Sequence, residues 1–145
     1  MTNVNKIVCK TKNAIETEQV AVAFSKGLKP SDIVLLSGDL GAGKTVFTKG
    51  FVKGLGIEDA EVVSPTFTIM NDYGGRVYHF DLYRLNSVEE FESTGIYEQM
   101  FSDAISIVEW PEIVGLGYFP KTAYVVEIKK IGDSEREIVI RGNEE

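Results

Sequence analysis

The chain has almost no cysteine, histidine or tryptophan, with one of each in 145 residues. Cys9 by itself forms no internal disulfide, so nothing staples this fold covalently. One cysteine and one histidine also exclude a zinc site of the usual Cys/His kind. Basic residues are in deficit, 15 against 22 acidic, and the net charge is −7. Nucleic-acid phosphates are gripped by clustered Lys and Arg. So acidic a chain is a poor sole owner of an RNA surface, and a partner is expected to hold most of any RNA involved. No apolar run approaches the ~18 residues of a membrane-spanning helix. Met1 to Lys10 lacks the apolar stretch of a signal peptide. With the lone thiol, this predicts a reducing, cytoplasmic setting and no membrane partner. Disorder is excluded for most of the chain, because 43% of it is hydrophobic and only 26% charged. The length predicts one domain over residues 1–145, with no room for a second substrate-binding domain or a large lid.

No internal repeat and no Pro- or Ser-rich linker divides the chain. Strand-like and helix-like segments alternate, which predicts an α/β fold. Ile7 to Lys10 reads as a short edge strand. Between Glu16 and Leu28, the residues Val20, Ala21, Phe24 and Leu28 recur at helical spacing, and Pro30 is expected to close that helix. Ile33 to Ser37 is a continuous apolar run, the pattern of a strand covered on both faces in a parallel sheet. Phe47, Phe51 and Leu55 predict a helix over Thr45 to Gly54, ended by Gly54 and Gly56. Thr66 to Tyr73 and Arg76 to Asp81 flank Gly74-Gly75, a hairpin signal that makes the sheet mixed. Ser87-Val88-Glu89-Glu90 is a capping box that starts a short helix. Ala104 to Val108 is a second buried-strand pattern and runs into Glu109-Trp110-Pro111. Thr122 to Lys130 and Glu135 to Arg141, separated by Gly132-Asp133, predict a C-terminal hairpin. A polar, frayed end is expected from Gly142 to Glu145.

The strongest local signal is Gly38-Asp39-Leu40-Gly41-Ala42-Gly43-Lys44-Thr45, which fits G-x-x-x-x-G-K-[ST] after a buried strand and before a helix. Glycines let the backbone curl so that successive N–H groups point at phosphate oxygens. A helix opening at Lys44 adds its dipole and free N–H groups. Lys44 reaches the β- and γ-phosphates as a point charge. The Thr45 hydroxyl ligates Mg²⁺ beside them. The plainer alternative is a glycine-rich turn that only closes a strand–helix unit. Taken with the segments around it, the loop predicts a three-layer P-loop NTPase-like α/β fold. Its central sheet is mixed but mostly parallel, and it carries a C-terminal β-hairpin.

Such a site needs a carboxylate at the end of a neighbouring strand to hold Mg²⁺ or its waters. Asp81 ends the run from Val77, and Glu109 ends the run from Ala104. Both emerge on the ligand side if their strands run parallel to the Ile33 strand. The working division gives Glu109 the metal and Asp81 the attacking water or an outer contact to the metal, with the reverse left open. Thr66, within Ser64-Pro65-Thr66-Phe67, is either a γ-phosphate sensor in a switch-like loop or simply a good strand former. His79 shares a strand face with Val77 and Asp81. It reads as a hydrogen-bonded structural residue, or as one that orients Asp81 or acts in proton transfer. Arg84 either stabilises transition-state charge or makes an ordinary salt bridge. Trp110 either lies beside the nucleotide or caps the core. Arg136, taken alone, is a solvated strand-edge charge.

These segments together resemble the TsaE (YjeE) family, the small P-loop ATPases of bacterial tRNA threonylcarbamoyladenosine biosynthesis. The resemblance is carried by Ser37 to Thr45, Ser64-Pro65-Thr66-Phe67, His79-Phe80-Asp81-Leu82-Tyr83-Arg84 and Val108-Glu109-Trp110-Pro111. It covers about residues 14 to 111. The resemblance implies binding of ATP and Mg²⁺ with slow hydrolysis by the protein alone. It implies two paralogous ASKHA-fold partner subunits, TsaB and TsaD. Together they place a threonylcarbamoyl group on the adenosine 3′ of the anticodon, and the ATPase supports repeated turnover. It also implies Thr45 and Glu109 as metal ligands, with Gly41 to Thr45 around the phosphates. Thr66 falls in a mobile loop by the same comparison. Arg136 is similar in position to a nucleotide contact, and the stretch near Thr11 neighbours the adenine.

Three functions are compatible with the residues. The first is a partner-activated ATPase, with in-line attack of water on the γ-phosphate. The second is a small P-loop kinase with Asp81 as base. Its scarce arginines (Arg76, Arg84, Arg136, Arg141) and missing lid segment count against it. The third is a non-catalytic switch in which ATP orders a docking face.

Overall fold

A computed structural model of the chain describes residues 6–39, 41–57 and 69–143. In chain order its elements are β1 (Ile7–Thr11), α1 (Ala14–Ser25), β2 (Ile33–Ser37), α2 (Lys44–Gly54), β3 (Met70–Tyr73), β4 (Val77–Asp81), α3 (Val88–Thr94), α4 (Tyr97–Met100), β5 (Ile105–Glu109), β6 (Tyr124–Lys130) and β7 (Arg136–Gly142). Short 3-10 turns follow β5 at Pro111–Ile113 and Leu116–Tyr118. The apolar runs behave as their composition requires. β2 and β5 occupy the middle of a seven-stranded sheet of order β1-β7-β6-β2-β5-β4-β3. There both faces need cover, and continuous hydrophobicity satisfies that.

The four strands β6, β2, β5 and β4 are mutually parallel. Antiparallel neighbours flank them: β3 beside β4, β7 beside β6, and β1 on the outer edge of β7. Both predicted hairpins therefore form, and the sheet is mixed with one dominant direction. Side-chain alternation separates two cores. Val34, Leu36, Ile105 and Ile107 face the layer of α1 and α2. Ile33, Leu35, Val108 and Phe80 face the layer of α3 and the two 3-10 turns. This is a three-layer arrangement. The first layer is held tightly because Gly50 and Gly54 lie one turn apart on α2, directly against α1. A Cβ on Gly50 would run into the Glu18 carbonyl, and one on Gly54 would meet Ser25. Only bare backbone fits there.

Several boundaries differ from expectation. α1 stops at Ser25, well before Pro30. Lys26 N–H turns back to the Phe24 and Val22 carbonyls, and Leu28 N–H to that of Ser25. Leu28 still packs on the core, so its helical spacing marked a buried position beyond the helix end. The start of α1 is set by Asn13, whose Oδ1 accepts from Glu16 N–H at 2.9 Å. Glu16 accepts in return from Lys12 N–H at 2.7 Å. The capping box at α3 is half made. Ser87 Oγ accepts from Glu90 N–H, but the Glu90 carboxylate turns to the Asn86 amide. Ala104 lies just outside β5. β7 runs on to Gly142, where a frayed end was expected, because Gly142 pairs with Tyr124. The start of the first hairpin, residues 66–68, lies outside the described residues. No described helix is long and apolar enough to cross a membrane.

Candidate functional site

The loop after β2 depends on glycine at two positions. A Cβ on Gly38 would meet the Ile128 carbonyl at 2.8 Å. Gly43 caps α2 at φ 105°, a conformation that side chains resist, and as a glycine it brings no side chain to cap the helix. A helix N-terminus carries backbone N–H donors that suit an anion. Lys44, at the first position, is nearly buried, and among the described residues its Nζ has no hydrogen-bond partner. It stands 3.9 Å from Glu109 Oε1 and 4.2 Å above the centre of the Trp110 ring. A buried ammonium without hydrogen bonds is costly. Phosphate oxygens at this point would relieve that cost, so the residues fit a polyphosphate.

The parallel register brings the two predicted carboxylates together, with Asp81 opposite Glu109 at the carboxyl ends of β4 and β5. Both line the cavity of about 350 Å³ in front of the loop, with Gly41, Gly43, Lys44 and the exposed Thr45. Their environments differ. Glu109 is 3% exposed, and its Oε2 lies 2.5 Å from His79 Nε2. Asp81 is only half-buried and accepts from Tyr83 N–H at 3.0 Å. Burial raises the Asp81 pKa and the Glu109 charge adds to the rise; the Tyr83 N–H, His79 and Lys44 pull it back. Among the described residues, no group of three or more His, Cys, Asp or Glu side chains could hold a metal ion. Two carboxylates beside one hydroxyl instead suit Mg²⁺, which takes oxygen ligands, keeps several waters and needs few protein groups.

His79 shares its strand face with Asp81 as expected, but its partner is Glu109. It does not orient Asp81. Trp110 is strained at φ 57°, the left-handed region. That turn lays its indole against Tyr83, ring centres 4.9 Å apart, and under Lys44. Both rings line the cavity. Just beyond, Ser37 Oγ donates to Glu112 Oε2 at 2.6 Å, tying the end of β2 to the turn after Trp110.

Arg136 is not a solvated strand-edge charge. Its Nε donates to the Ala42 carbonyl at 2.8 Å, and its Nη2 to that of Gly41 at 3.2 Å. Its Nη1 donates to the carbonyls of Gly132, Asp133 and Glu135 in its own hairpin turn. It also lines the cavity, but its donors are spent on backbone carbonyls of the loop and of its own hairpin turn. Thr11 is buried and bonded to Thr17 Oγ1 at 2.7 Å. Thr17, not Thr11, lines a second cavity of about 190 Å³ beside Gly43 and Val46. Asp39 is exposed, and its carbonyl accepts from Ala42 N–H. Arg84 is exposed and is not part of the cavity lining. Leu40 and Thr66 lie outside the described residues. Sequence reasoning missed Tyr83 as a wall of the site, although an aromatic two residues past a strand-end carboxylate was visible. It also missed the Arg136 bonds to the loop, for which no local signal exists.

Comparison with known proteins shows the family and the fold. The family model described as "Threonylcarbamoyl adenosine biosynthesis protein TsaE" matches residues 11–138. The chain is 42% identical over 132 residues to the tRNA threonylcarbamoyladenosine biosynthesis protein TsaE of Bacillus subtilis, covering 89% of this chain and 81% of that one. It is 36% identical over 134 residues to the protein of the same name from Treponema pallidum, covering 91% and 98%. The crystal structure of YdiB from Bacillus subtilis superposes with a TM-score of 0.74 at 34% identity, covering 98% of this chain and 88% of that one. On this agreement of sequence and fold, the chain belongs to the TsaE family.

Proposed function

We propose that this chain binds ATP with Mg²⁺ in the cavity before the Gly38–Thr45 loop and hydrolyses it. It does so in the cytoplasm, within the machinery that forms threonylcarbamoyladenosine in tRNA. The observation that carries the proposal is the nearly buried Lys44 ammonium, without a hydrogen bond among the described residues, at the N-terminus of a helix capped by Gly43. Lys44 and the α2 N–H groups neutralise charge that builds on the β- and γ-phosphates as the bond between them breaks. The Thr45 hydroxyl and Glu109, with Asp81 beside them, would hold Mg²⁺, which supplies further charge neutralisation when bound. Asp81 is the carboxylate open to water, and its raised pKa suits it to orient the attacking water and take a proton from it. Tyr83 and Trp110 screen Lys44 from solvent on one side.

Relatives of 42% and 36% identity are named for tRNA threonylcarbamoyladenosine biosynthesis, which supports the pathway. The partners are TsaD-like and TsaB-like subunits. With a net charge of −7, tRNA is held through the complex and not by this chain alone. The test is steady-state phosphate release from ATP, by the protein alone and with both partner subunits and tRNA. Slow release alone and a large rise with partners is expected. An unchanged rate would reject the coupled ATPase and turn the search to kinase acceptors. Lys44→Ala should abolish tight ATP binding; wild-type affinity in that variant would reject the phosphate site.

A further inference from the structure

We infer that His79 is a positioning residue that locks Glu109 for metal–nucleotide binding. The inference rests on the proposed Mg²⁺ site. His79 is fully buried on β4, where the register sets it beside Asn71 of β3 and Ile107 of β5. It is the only histidine of the chain. Its Nε2 meets Glu109 Oε2 at 2.5 Å, while its Nδ1 has no hydrogen-bond partner among the described residues. The proton therefore belongs on Nε2, because the other tautomer would bury an N–H with no acceptor and set two acceptors face to face.

The consequence falls on Glu109. A glutamate has three side-chain torsions, and on a loose rotamer its carboxylate would swing. Here Oε2 is held from behind by the imidazole, and Oε1 is turned toward Lys44, 3.9 Å away. One oxygen is anchored in the protein and the other is presented to the cavity. Among the described residues Asp81 has no such side-chain partner; its anchor is the Tyr83 backbone N–H. The two carboxylates are thus unequal by construction. The anchored one suits a fixed metal contact, and the looser, more exposed one suits a group that must follow a water or move a proton. Groups behind a metal-binding carboxylate commonly control metal affinity by 10- to 100-fold on mutation, roughly.

The test separates this role from simple core packing. Nucleotide affinity is measured by calorimetry for wild type, His79→Leu and His79→Gln, each with ATP alone and with ATP plus Mg²⁺. Gln places an amide donor where Nε2 stands. Wild type must first bind more tightly with Mg²⁺; if it does not, the proposed metal site itself fails, and His79 is not judged by this arm. Given that gain, His79→Leu is expected to lose about tenfold of it while metal-free binding changes less than about twofold. His79→Gln is expected to recover most of the loss. Equal losses with and without Mg²⁺, or no recovery in Gln, would overturn the inference.

A second measurement uses wild type only and is immune to folding defects. With one histidine, the ¹⁵N spectrum of the imidazole is assigned without ambiguity. A proton on Nε2 with Nδ1 bare is expected, with a shift on adding Mg²⁺ and ATP. A proton on Nδ1, or fast exchange between tautomers, would overturn the inference.

Discussion

Asp81 and Glu109 sit side by side at the ends of parallel strands, yet their surroundings separate them. For Asp81, burial is the largest influence, and it disfavours the charged form. A folded-state pKa above the ordinary carboxylate value means the ionised group costs stability. The cost is present in full above the folded pKa and is lost as the pH falls through it toward the unfolded value. Asp81→Asn removes the charge while its amide oxygen still accepts from Tyr83 N–H. Without ligand, this variant should melt at a higher temperature than wild type at about pH 7, with a gain that fades in acid. A gain that is absent or independent of pH would contradict the assignment. Trp110 offers a second check, because it is the only tryptophan. Lys44 stands over its ring, and phosphate would draw that ammonium away. Emission should change on adding Mg²⁺ and ATP. A flat titration with ATP demonstrably bound would remove the indole from the site.

Between elements, the contact of most consequence is the one from β7 to the loop after β2. Arg136 spends its guanidinium on carbonyls of Gly41 and Ala42 at one end and of its own hairpin turn at the other. In a trans peptide the carbonyl and the following N–H point in opposite directions. Holding the Ala42 carbonyl therefore turns Gly43 N–H away from Arg136. Arg136→Ala should speed amide exchange in residues 41–43 of the ligand-free protein and weaken nucleotide binding by about 10- to 100-fold, the scale of losing one charge-assisted bond. Unchanged exchange with weakened binding would instead mark Arg136 as a direct nucleotide contact. The expectation from sequence, a lone strand-edge charge or a contact by resemblance, had no means to see this. Arg136 lies 94 residues from Ala42.

Across the whole molecule, stability is concentrated in the middle of the sheet. Leu36 and Ile107 are fully buried between helices, while Val8 on the edge strand is 53% exposed. Leu36→Ala should cost about 2–5 kcal/mol in denaturant unfolding. Val8→Ala should change it by under about 0.5 kcal/mol. Comparable losses would mean that the edge carries as much of the fold as the centre. The same gradient places the site well. Loop, Asp81 and Glu109 all spring from the ends of the best-packed parallel strands, so the chemistry is anchored where the backbone is hardest to move.

What was legible in the sequence was contiguous. The loop from Gly38 to Thr45 needs particular residues in one short stretch, and the buried strands need only unbroken apolar runs. Both are local requirements, and the buried strands and the helix after the loop form as expected. Asp81 and Glu109 were found as strand-end acids for the same reason. What tertiary structure decided depends on strand order and register, which no single segment encodes. Register gave His79 to Glu109 rather than to Asp81 across 30 residues. The place of β7 beyond β6 carried Arg136 to the back of the loop. Packing drew Leu28 to the core although its helix had ended at Ser25. Local chemistry chose the elements and the glycine-rich loop; long-range pairing chose which side chains meet there.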